Sequence, residues 1–165
     1  TKLFVSLERA MPKSKYTFLT NILEYDLEDL STPPKEYFYP LQRKEKGNGI
    51  TEILTYSDSI LFVLERDYVK PDNFVTMYSV NLNKTERNNG QYKKLPKSSL
   101  IMKPERIFSF DKIKKIGNKD YKVNNIEGFT FSTSGDYLIF VSDNNFGNRT
   151  KQTPTQIVCL KIKEN

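Results

Sequence analysis

Short runs of apolar and β-branched residues alternate along the chain with polar, turn-forming stretches. The runs have the length of β-strands, and several alternate apolar and polar side chains, as the stretch from Thr76 to Val80 does. No segment carries an apolar stripe at helical spacing over three turns. The pattern predicts an all-β chain. Ten strands are predicted, at residues 3–7, 21–26, 36–39, 51–56, 60–65, 76–82, 106–110, 128–132, 137–142 and 156–162.

Three parts of the chain repeat one pattern. An acid stands at the start of one apolar strand, a tight turn follows, and a second apolar strand ends in another acid. The two full copies are residues 49–67 and 125–144, and residues 3–9 resemble the second strand of a third copy. Because four-stranded units repeated in series are typical of β-propellers, the repeat predicts that fold.

The number of predicted strands fills about three four-stranded blades, whereas closed propellers have about four to eight. An arc of three blades would leave sheet edges exposed. Residues 1–165 are therefore expected to be the C-terminal part of a single larger propeller domain. The partner that this expectation requires is the missing N-terminal half, from the same or a separate chain. A small β-sandwich with coincidental repeats is the alternative.

The composition excludes several kinds of catalytic site. The 165 residues include no His, no Trp and a single Cys. Without His there is no Ser-His-Asp or Cys-His pair and no His-ligated zinc. A single Cys excludes a disulfide within the chain, a CxxC redox pair and a Cys₄ metal site. Cys159 itself lies in an apolar run, which predicts a small buried side chain rather than a nucleophile.

The net charge of +6, from 26 Lys and Arg against 20 Asp and Glu, adds little about partners. Lysines are spread widely and arginines are few, which is typical of solvated loops and not of a nucleic-acid interface. We therefore expect no nucleic-acid partner. No apolar run reaches the roughly 18–20 residues needed to cross a bilayer, so no transmembrane segment is expected.

Polar residues recur at one end of each predicted blade. In antiparallel neighbours, the start of an inner strand and the end of the next strand lie at the same end of the sheet. Glu52 should therefore lie beside residues 65–67. By the same reasoning, Glu127 should lie beside residues 143–145, with Asp143 at the same end of the blade. Glu8 should occupy the equivalent place one blade earlier, so that these ends converge around a central channel.

Converging carboxylate and amide oxygens suit a hard cation, above all Ca²⁺. Such an ion could polarise a phosphoryl oxygen or lower the pKa of a bound water, and an arginine could clamp phosphate oxygens. The candidate metal ligands are Glu8, Glu127, Asp143 and Asn144. The candidate catalytic residues are Glu52, Arg66 and Glu127.

The same residues allow a structural interpretation. Glu52 and Glu127 could accept backbone N–H bonds that join the blades, and Arg66 could pair with an acid of its own strand or of a neighbouring blade. Asn144 could satisfy a turn, because asparagine tolerates the left-handed conformation. The sequence leaves both interpretations open.

An ordered series of short segments spans nearly the whole chain. The segments are residues 4–8, 36–41, 49–52, 64–68, 125–128, 141–146, 152 and 155–156. The series, and above all the pair Asn-Ile-Glu-Gly and Ser-Asp-Asn-Asn-Phe, resembles the C-terminal half of the esterase-like phytase domain family of bacterial β-propellers. The chain departs from that family where the N-terminal half is absent and in the Lys-rich stretch 92–122.

The resemblance implies hydrolysis of a small phosphoester or ester by an extracytoplasmic, periplasmic or secreted protein. The leading hypothesis is a calcium-assisted, phytase-like hydrolase of phosphoesters that acts at the channel mouth. A lactonase-like esterase using the same metal is a variant of it. The alternative hypothesis is a non-catalytic propeller that serves as a binding or scaffold module in a larger assembly.

Overall fold

A computed structural model of the chain describes residues 1–10, 16–43, 47–86, 98–144 and 154–162. These residues form an all-β structure with three short 3₁₀ segments, Leu82–Lys84, Ser98–Leu100 and Phe110–Lys112. The strands are β1 (Lys2–Ser6), β2 (Leu19–Asp26), β3 (Lys35–Pro40), β4 (Gly49–Ser57), β5 (Ile60–Val69), β6 (Asp72–Asn81), β7 (Glu105–Ser109), β8 (Lys115–Ile116), β9 (Lys119–Asp120), β10 (Ile126–Phe131), β11 (Tyr137–Ser142) and β12 (Ile157–Lys161). No helix in this described part is long and apolar enough to cross a membrane.

The strands form four antiparallel sheets in which neighbours in the chain are neighbours in space. The first sheet has the order β1-β2-β3, the second β4-β5-β6-β7 and the third β10-β11-β12. A small hairpin of β8 and β9 precedes the third sheet, with Gly117 at a φ of +60° in its turn. Three successive antiparallel meanders are compatible with the blades of a propeller.

All ten predicted strands are present, with ends that differ by a few residues. The largest differences are at the turn between β5 and β6. Strand β5 (Ile60–Val69) continues beyond its predicted end, and β6 (Asp72–Asn81) begins before its predicted start. The apolar pattern missed the ends of these strands because residues 65–67 are charged although they remain paired in the sheet. The pattern also missed β8 and β9, whose two-residue lengths are too short to show a period.

Strand β5 separates two apolar clusters. Side chains alternate between the two faces of a strand, so Leu61 and Val63 point to the first sheet while Phe62 and Leu64 point to the third. The cluster between the first and second sheets contains Ile22, Tyr37, Tyr39, Leu41, Ile50, Leu61, Val63, Val80, Leu82 and Met102. The cluster between the second and third sheets contains Phe62, Leu64, Val75, Met77, Phe110, Val123, Ile126, Phe129, Leu138, Phe140 and Val158.

Both repeated units have a bulge near the start of their own first strand, which is β4 in one unit and β10 in the other. The register shifts between Ile50 and Glu52 in β4 and between Ile126 and Gly128 in β10. The two buried isoleucines are therefore equivalent, and Glu127 corresponds to Thr51. The predicted equivalence of Glu52 with Glu127 is wrong by one residue, because a bulge places one extra residue in the strand without a partner of its own.

Cys159 is exposed, and the prediction of a buried side chain is wrong. Its Cα partner on β11 is Ile139, and the buried Val158 beside it points to the opposite face of the third sheet. The cause is geometric, since no described residue covers the face of the third sheet that points away from the second.

We expect Leu61→Ala to lower the free energy of unfolding by about 2–5 kcal/mol, because it removes a side chain that is wholly buried between the first two sheets. Ile107→Ala on β7 is the matched control, since Ile107 is 47% exposed, and should cost less than about 1 kcal/mol. Equal losses in urea melts of the two variants would contradict this packing.

Candidate functional site

Arg66 lies where three sheets meet. On β5 it pairs with Gly49 at the start of β4. The backbone N–H of Ile50 donates to the carbonyl oxygen of Glu8 at 2.8 Å, which holds the end of the first sheet against β4. A Cβ on Gly49 would lie only 2.9 Å from the Glu8 carbonyl oxygen, so glycine permits this close approach. The Glu8 carboxylate consequently lies 3.8 Å from the Arg66 guanidinium.

The third sheet contributes Glu127, which occupies the bulge in β10. Its Oε1 lies 3.4 Å from Nη2 of Arg66 and accepts a hydrogen bond of 2.7 Å from the side-chain amide of Asn125. The guanidinium and the amide together fix the direction of the carboxylate. Glu8, which follows β1, therefore meets Arg66 of β5 and Glu127 of β10 at one point, so that three sheets contribute to it.

Arg9 extends this group into a row of alternating charges. Its Nη2 lies 3.1 Å from Oε1 of Glu8, the same oxygen that faces Arg66. The order along the row is Arg9, Glu8, Arg66, Glu127. Arg66 is only 18% exposed, whereas Glu8 is 52% and Glu127 40% exposed, so the carboxylates reach the solvent while the central guanidinium is largely buried.

Asp143 and Asn144 lie at the same end of the third sheet. Asp143 follows β11, and its N–H donates to the carbonyl oxygen of Asn125 at 2.8 Å, directly before β10. The pairing thus places Asp143 and Glu127 at one end of adjacent antiparallel strands, as the sequence predicts. Oδ1 of Asn144 is buried and accepts no hydrogen bond within the described part of the chain. Asn145, predicted to lie beside them, is outside the described residues.

Glu52 does not join this group. Its Cα partner is Leu64, and its Oε1 accepts a hydrogen bond of 2.9 Å from the N–H of the next residue, Ile53. Leu64 lies two residues from Arg66 along β5, which corresponds to about 7 Å of strand. Among the described residues, Glu52 forms no ion pair.

Glu65 and Asp67, which flank Arg66, point to the opposite face of β5. The buried carboxylate of Glu65 accepts hydrogen bonds from the Tyr39 hydroxyl at 2.7 Å, the side-chain amide of Asn48 at 2.6 Å and the backbone N–H of Gln42 at 3.0 Å. This carboxylate joins the first sheet to the loop that leads into β4. Sequence reasoning missed its partners, because they come from residues 17 to 26 positions away with no motif in common.

Asp67 is fully buried and forms an ion pair of 2.8 Å with Nε of Arg43, whose guanidinium carbon lies 4.1 Å from the centre of the Phe74 ring. This pair, like the hydrogen bonds of Glu65, lies on the face of β5 away from Glu127. Both acids consequently belong to the structural side of the strand.

Two buried glutamates differ in the charge of their hydrogen-bond donors. Burial raises the pKa of Glu65, since Asn48, Tyr39 and the backbone N–H groups that bond it are neutral and compensate only in part. Burial also acts to raise the pKa of Glu24, but hydrogen bonds from Tyr37, Lys2 and Lys35 outweigh it, and the pKa is lowered. Neutral donors and cationic donors therefore give opposite shifts.

The family model described as "Phytase-like: Esterase-like activity of phytase" matches residues 1–146. The chain belongs to the phytase-like family. No curated protein and no solved structure matches it. The matched part of this phytase-like chain includes all of the residues gathered at Arg66, as well as Asp143 and Asn144.

The two glutamates should give the phytase-like chain opposite pH dependences of stability. The pKa of Glu24 is lowered, so its contribution is present above its ordinary pKa of 4.5 and is lost as the pH falls through the lowered value. The pKa of Glu65 is raised, so its contribution is full below 4.5 and is lost as the pH rises through the raised value.

We therefore expect Glu24→Gln to flatten the loss of stability on the acid side of the profile. Glu65→Gln should instead flatten the loss of stability that occurs as the pH rises above 4.5. The measurement is the free energy of unfolding from urea melts at a series of pH values. Profiles that change in the same direction for both variants would contradict the assignment of neutral and cationic donors.

Proposed function

We propose that the chain forms part of a β-propeller that hydrolyses small phosphoesters or related esters at the end of the sheets where Arg66 lies. The observation that carries the proposal is the meeting of Glu8, Arg66 and Glu127 from three sheets at one solvent-accessible point. Membership of the phytase-like family supports the substrate class. An extracytoplasmic location, periplasmic or secreted, is part of the same proposal.

The propeller part of the proposal rests on the three large sheets that follow one another in the chain. Closed propellers have about four to eight blades, so residues 1–165 would form the C-terminal part of the domain. The remaining blades would come from the same or a separate chain. Strands that converge on a central channel would place Arg66 and its acids at the channel mouth.

In the proposed reaction Arg66 holds an anionic oxygen of the phosphoester, for which a guanidinium is well suited by charge and shape. Glu127 accepts a proton from water as the water oxygen bonds to phosphorus. The bond from phosphorus to the leaving oxygen breaks, and that oxygen takes up a proton from the solvent, to which Glu127 then returns the proton that it accepted. Asn125 positions Glu127 through its hydrogen bond of 2.7 Å. Glu52 is given no role, because among the described residues the acids that pair with Arg66 are Glu8 and Glu127.

The proposal includes a calcium ion, but with Asp143 and Asn144 as its only ligands among the four residues predicted from the sequence. The described residues contain no group of three or more acidic, His or Cys side chains arranged to hold a metal ion. Glu8 and Glu127 already face the guanidinium of Arg66, which occupies the place of a cation between them. The buried Oδ1 of Asn144 lacks a donor in the described part and is an oxygen of the kind calcium uses, so Asn144 and Asp143 would hold the ion. Bound there, it would supply positive charge for a phosphoryl oxygen.

A non-catalytic binding or scaffold module is the second candidate. It is favoured by the pairing of Arg66 with two carboxylates, since an arginine paired in this way can hold three sheets together without touching a substrate. The exposed carboxylates of Glu8 and Glu127 favour hydrolysis instead, because a purely structural network is better served by buried acids. Measured turnover of a phosphoester or ester distinguishes the hydrolase from the binding or scaffold module.

We expect Glu127→Gln to lower kcat for phosphoester hydrolysis by about 100-fold or more, the usual contribution of a general base. Arg66→Lys should mainly raise KM, since lysine cannot form the paired contact. Glu52→Gln is the matched control, a carboxylate on the neighbouring strand, and should leave both constants unchanged. The assay on the intact protein compares an aryl phosphate, an inositol phosphate, an aryl ester and a lactone.

Turnover of the ester or lactone alone would move the substrate class to an esterase. Failure to turn over any of the four substrates, with the protein folded, would favour the scaffold candidate.

We also expect calcium to stabilise the intact protein, because a ligand that binds only the folded state raises the free energy of unfolding by about 2.7 kcal/mol at 100 times its Kd. Asp143→Asn keeps the shape of the side chain and removes its charge, so it should weaken this response. Asp136→Asn, an exposed acid at the other end of the third sheet, is the control. A melting temperature indifferent to calcium in the wild type would remove the ion from the proposal.

A further inference from the structure

The proposed reaction uses Arg66 and Glu127 but gives no part to Arg9 or to the carboxylate of Glu8. Oε1 of Glu8 faces two guanidiniums at once, with Nη2 of Arg9 at 3.1 Å and Nη2 of Arg66 at 3.8 Å. Two arginines therefore lie beside a single anionic oxygen. Two guanidiniums that share one oxyanion suit a phosphoryl oxygen as well as they suit a carboxylate oxygen.

The segment that carries Glu8 and Arg9 is attached to the sheets through its backbone. The hydroxyl of Thr20, a fully buried residue of β2, lies 2.8 Å from the carbonyl oxygen of Leu7 and 3.2 Å from that of Arg9. Between these two points the carbonyl oxygen of Glu8 accepts the hydrogen bond from the backbone N–H of Ile50. The backbone of Glu8 and Arg9 is therefore positioned by groups other than their own side chains.

The guanidinium of Arg9 also has a partner other than Glu8. Its Nη2 donates to the carbonyl oxygen of Gly47 at 3.3 Å. Gly47 in turn lies against the buried Asp67, since a Cβ at this glycine would be 2.8 Å from Oδ1 of that acid. The Gly47 carbonyl would consequently keep Arg9 beside Arg66 if the Glu8 carboxylate moved away.

The guanidinium of Arg66 is only loosely matched by its two carboxylates. Its Nη2 lies 3.4 Å from Glu127 and 3.8 Å from Glu8, whereas a close hydrogen bond between a guanidinium and a carboxylate measures about 2.7–2.9 Å. Nε of Arg66 is buried and has no acceptor within the described part of the chain. Glu8 is the more distant and the more exposed of the two acids, and Glu127 is held by Asn125 as well. Glu8 is therefore the carboxylate that a ligand would displace.

We propose that Arg9 and Arg66 form one binding site for a dianionic phosphoryl group, and that the carboxylate of Glu8 occupies this site when no ligand is bound. The inference rests on the proposed function and narrows its substrate class to phosphate monoesters. A phosphate monoester carries a charge of about −1.5 to −2 at pH 7, so it offers a second negative charge to the two cations. A phosphodiester carries one negative charge and only replaces the charge of Glu8.

The test measures the binding of two small anions to the intact protein by isothermal titration calorimetry at pH 8 and low ionic strength. Inorganic phosphate is mainly dianionic under these conditions, and dimethyl phosphate is a monoanion with the same tetrahedral phosphorus. The wild type should bind inorganic phosphate about 10-fold or more tightly than dimethyl phosphate, because only the dianion satisfies both guanidiniums.

Two substitutions should change the Kd for inorganic phosphate in opposite directions. Glu8→Gln keeps the shape of the side chain and removes the competing charge, so it should lower this Kd by about 3–10-fold. Arg9→Gln removes one of the two cations and should raise this Kd by about 10-fold, while changing the Kd for dimethyl phosphate by less than about 3-fold.

The matched controls are an acid and an arginine that lie outside this group. Asp58→Asn changes an exposed acid in the turn between β4 and β5, and Arg106→Gln changes an exposed arginine of β7. Both controls should leave the two dissociation constants unchanged. Urea melts of all four variants establish that each one is folded before its binding is compared.

A wild type that binds the two anions equally, or that binds no inorganic phosphate at millimolar concentration while folded, would overturn the inference. A Kd for inorganic phosphate that neither Glu8→Gln nor Arg9→Gln alters would also overturn it. Turnover of a phosphoester together with such an unaltered Kd would leave the proposed function standing. The expected changes in Kd without turnover of any substrate would do the reverse, since the site would then bind phosphoryl groups without hydrolysing them.

Discussion

The structure depends on the alternation of side chains along β5. Leu61 and Val63 belong to the apolar cluster of the first sheet, and Phe62 and Leu64 to that of the third. The alternation continues beyond the apolar part of the strand, so Glu65 points to the first sheet and Arg66 towards the third. A shift of one residue in the pairing of β5 would exchange both clusters and turn the guanidinium away from Glu127.

The buried charges at this end of the sheets obey one rule, which is that each has a partner on the face where it lies. Glu65 meets neutral donors and its pKa rises, whereas Asp67 meets the guanidinium of Arg43. Breaking such a buried pair on one side leaves an uncompensated charge, which typically costs about 3–5 kcal/mol. The loop before β4 is therefore tied to β5 by polar contacts, and the position of Glu8 beside Arg66 depends on that attachment.

Sequence patterns predicted the strands well because strand length and alternation are local properties. They also predicted that Glu127 and Asp143 share one end of a sheet, since antiparallel pairing follows from the order of the strands. They failed where an outcome depends on a bulge or on a distant neighbour. The bulges make Glu127 equivalent to Thr51 and not to Glu52, and Cys159 is exposed because no described sheet lies over it. The partners of Glu65 come from another sheet, which no local pattern reveals.

Arg66 has a structural position and, in the proposed function, a chemical one, and its burial explains how both are compatible. A guanidinium that is 18% exposed cannot be fully hydrated, so it requires carboxylates, and Glu8 and Glu127 supply them from the two adjacent sheets. Those carboxylates are themselves 52% and 40% exposed, and an exposed ion pair contributes little to stability. An anionic ligand can therefore displace one carboxylate into water at small cost while the other keeps Arg66 in place. Stability resides in the apolar clusters on either side of β5, which leaves the charged end of the sheets available for binding.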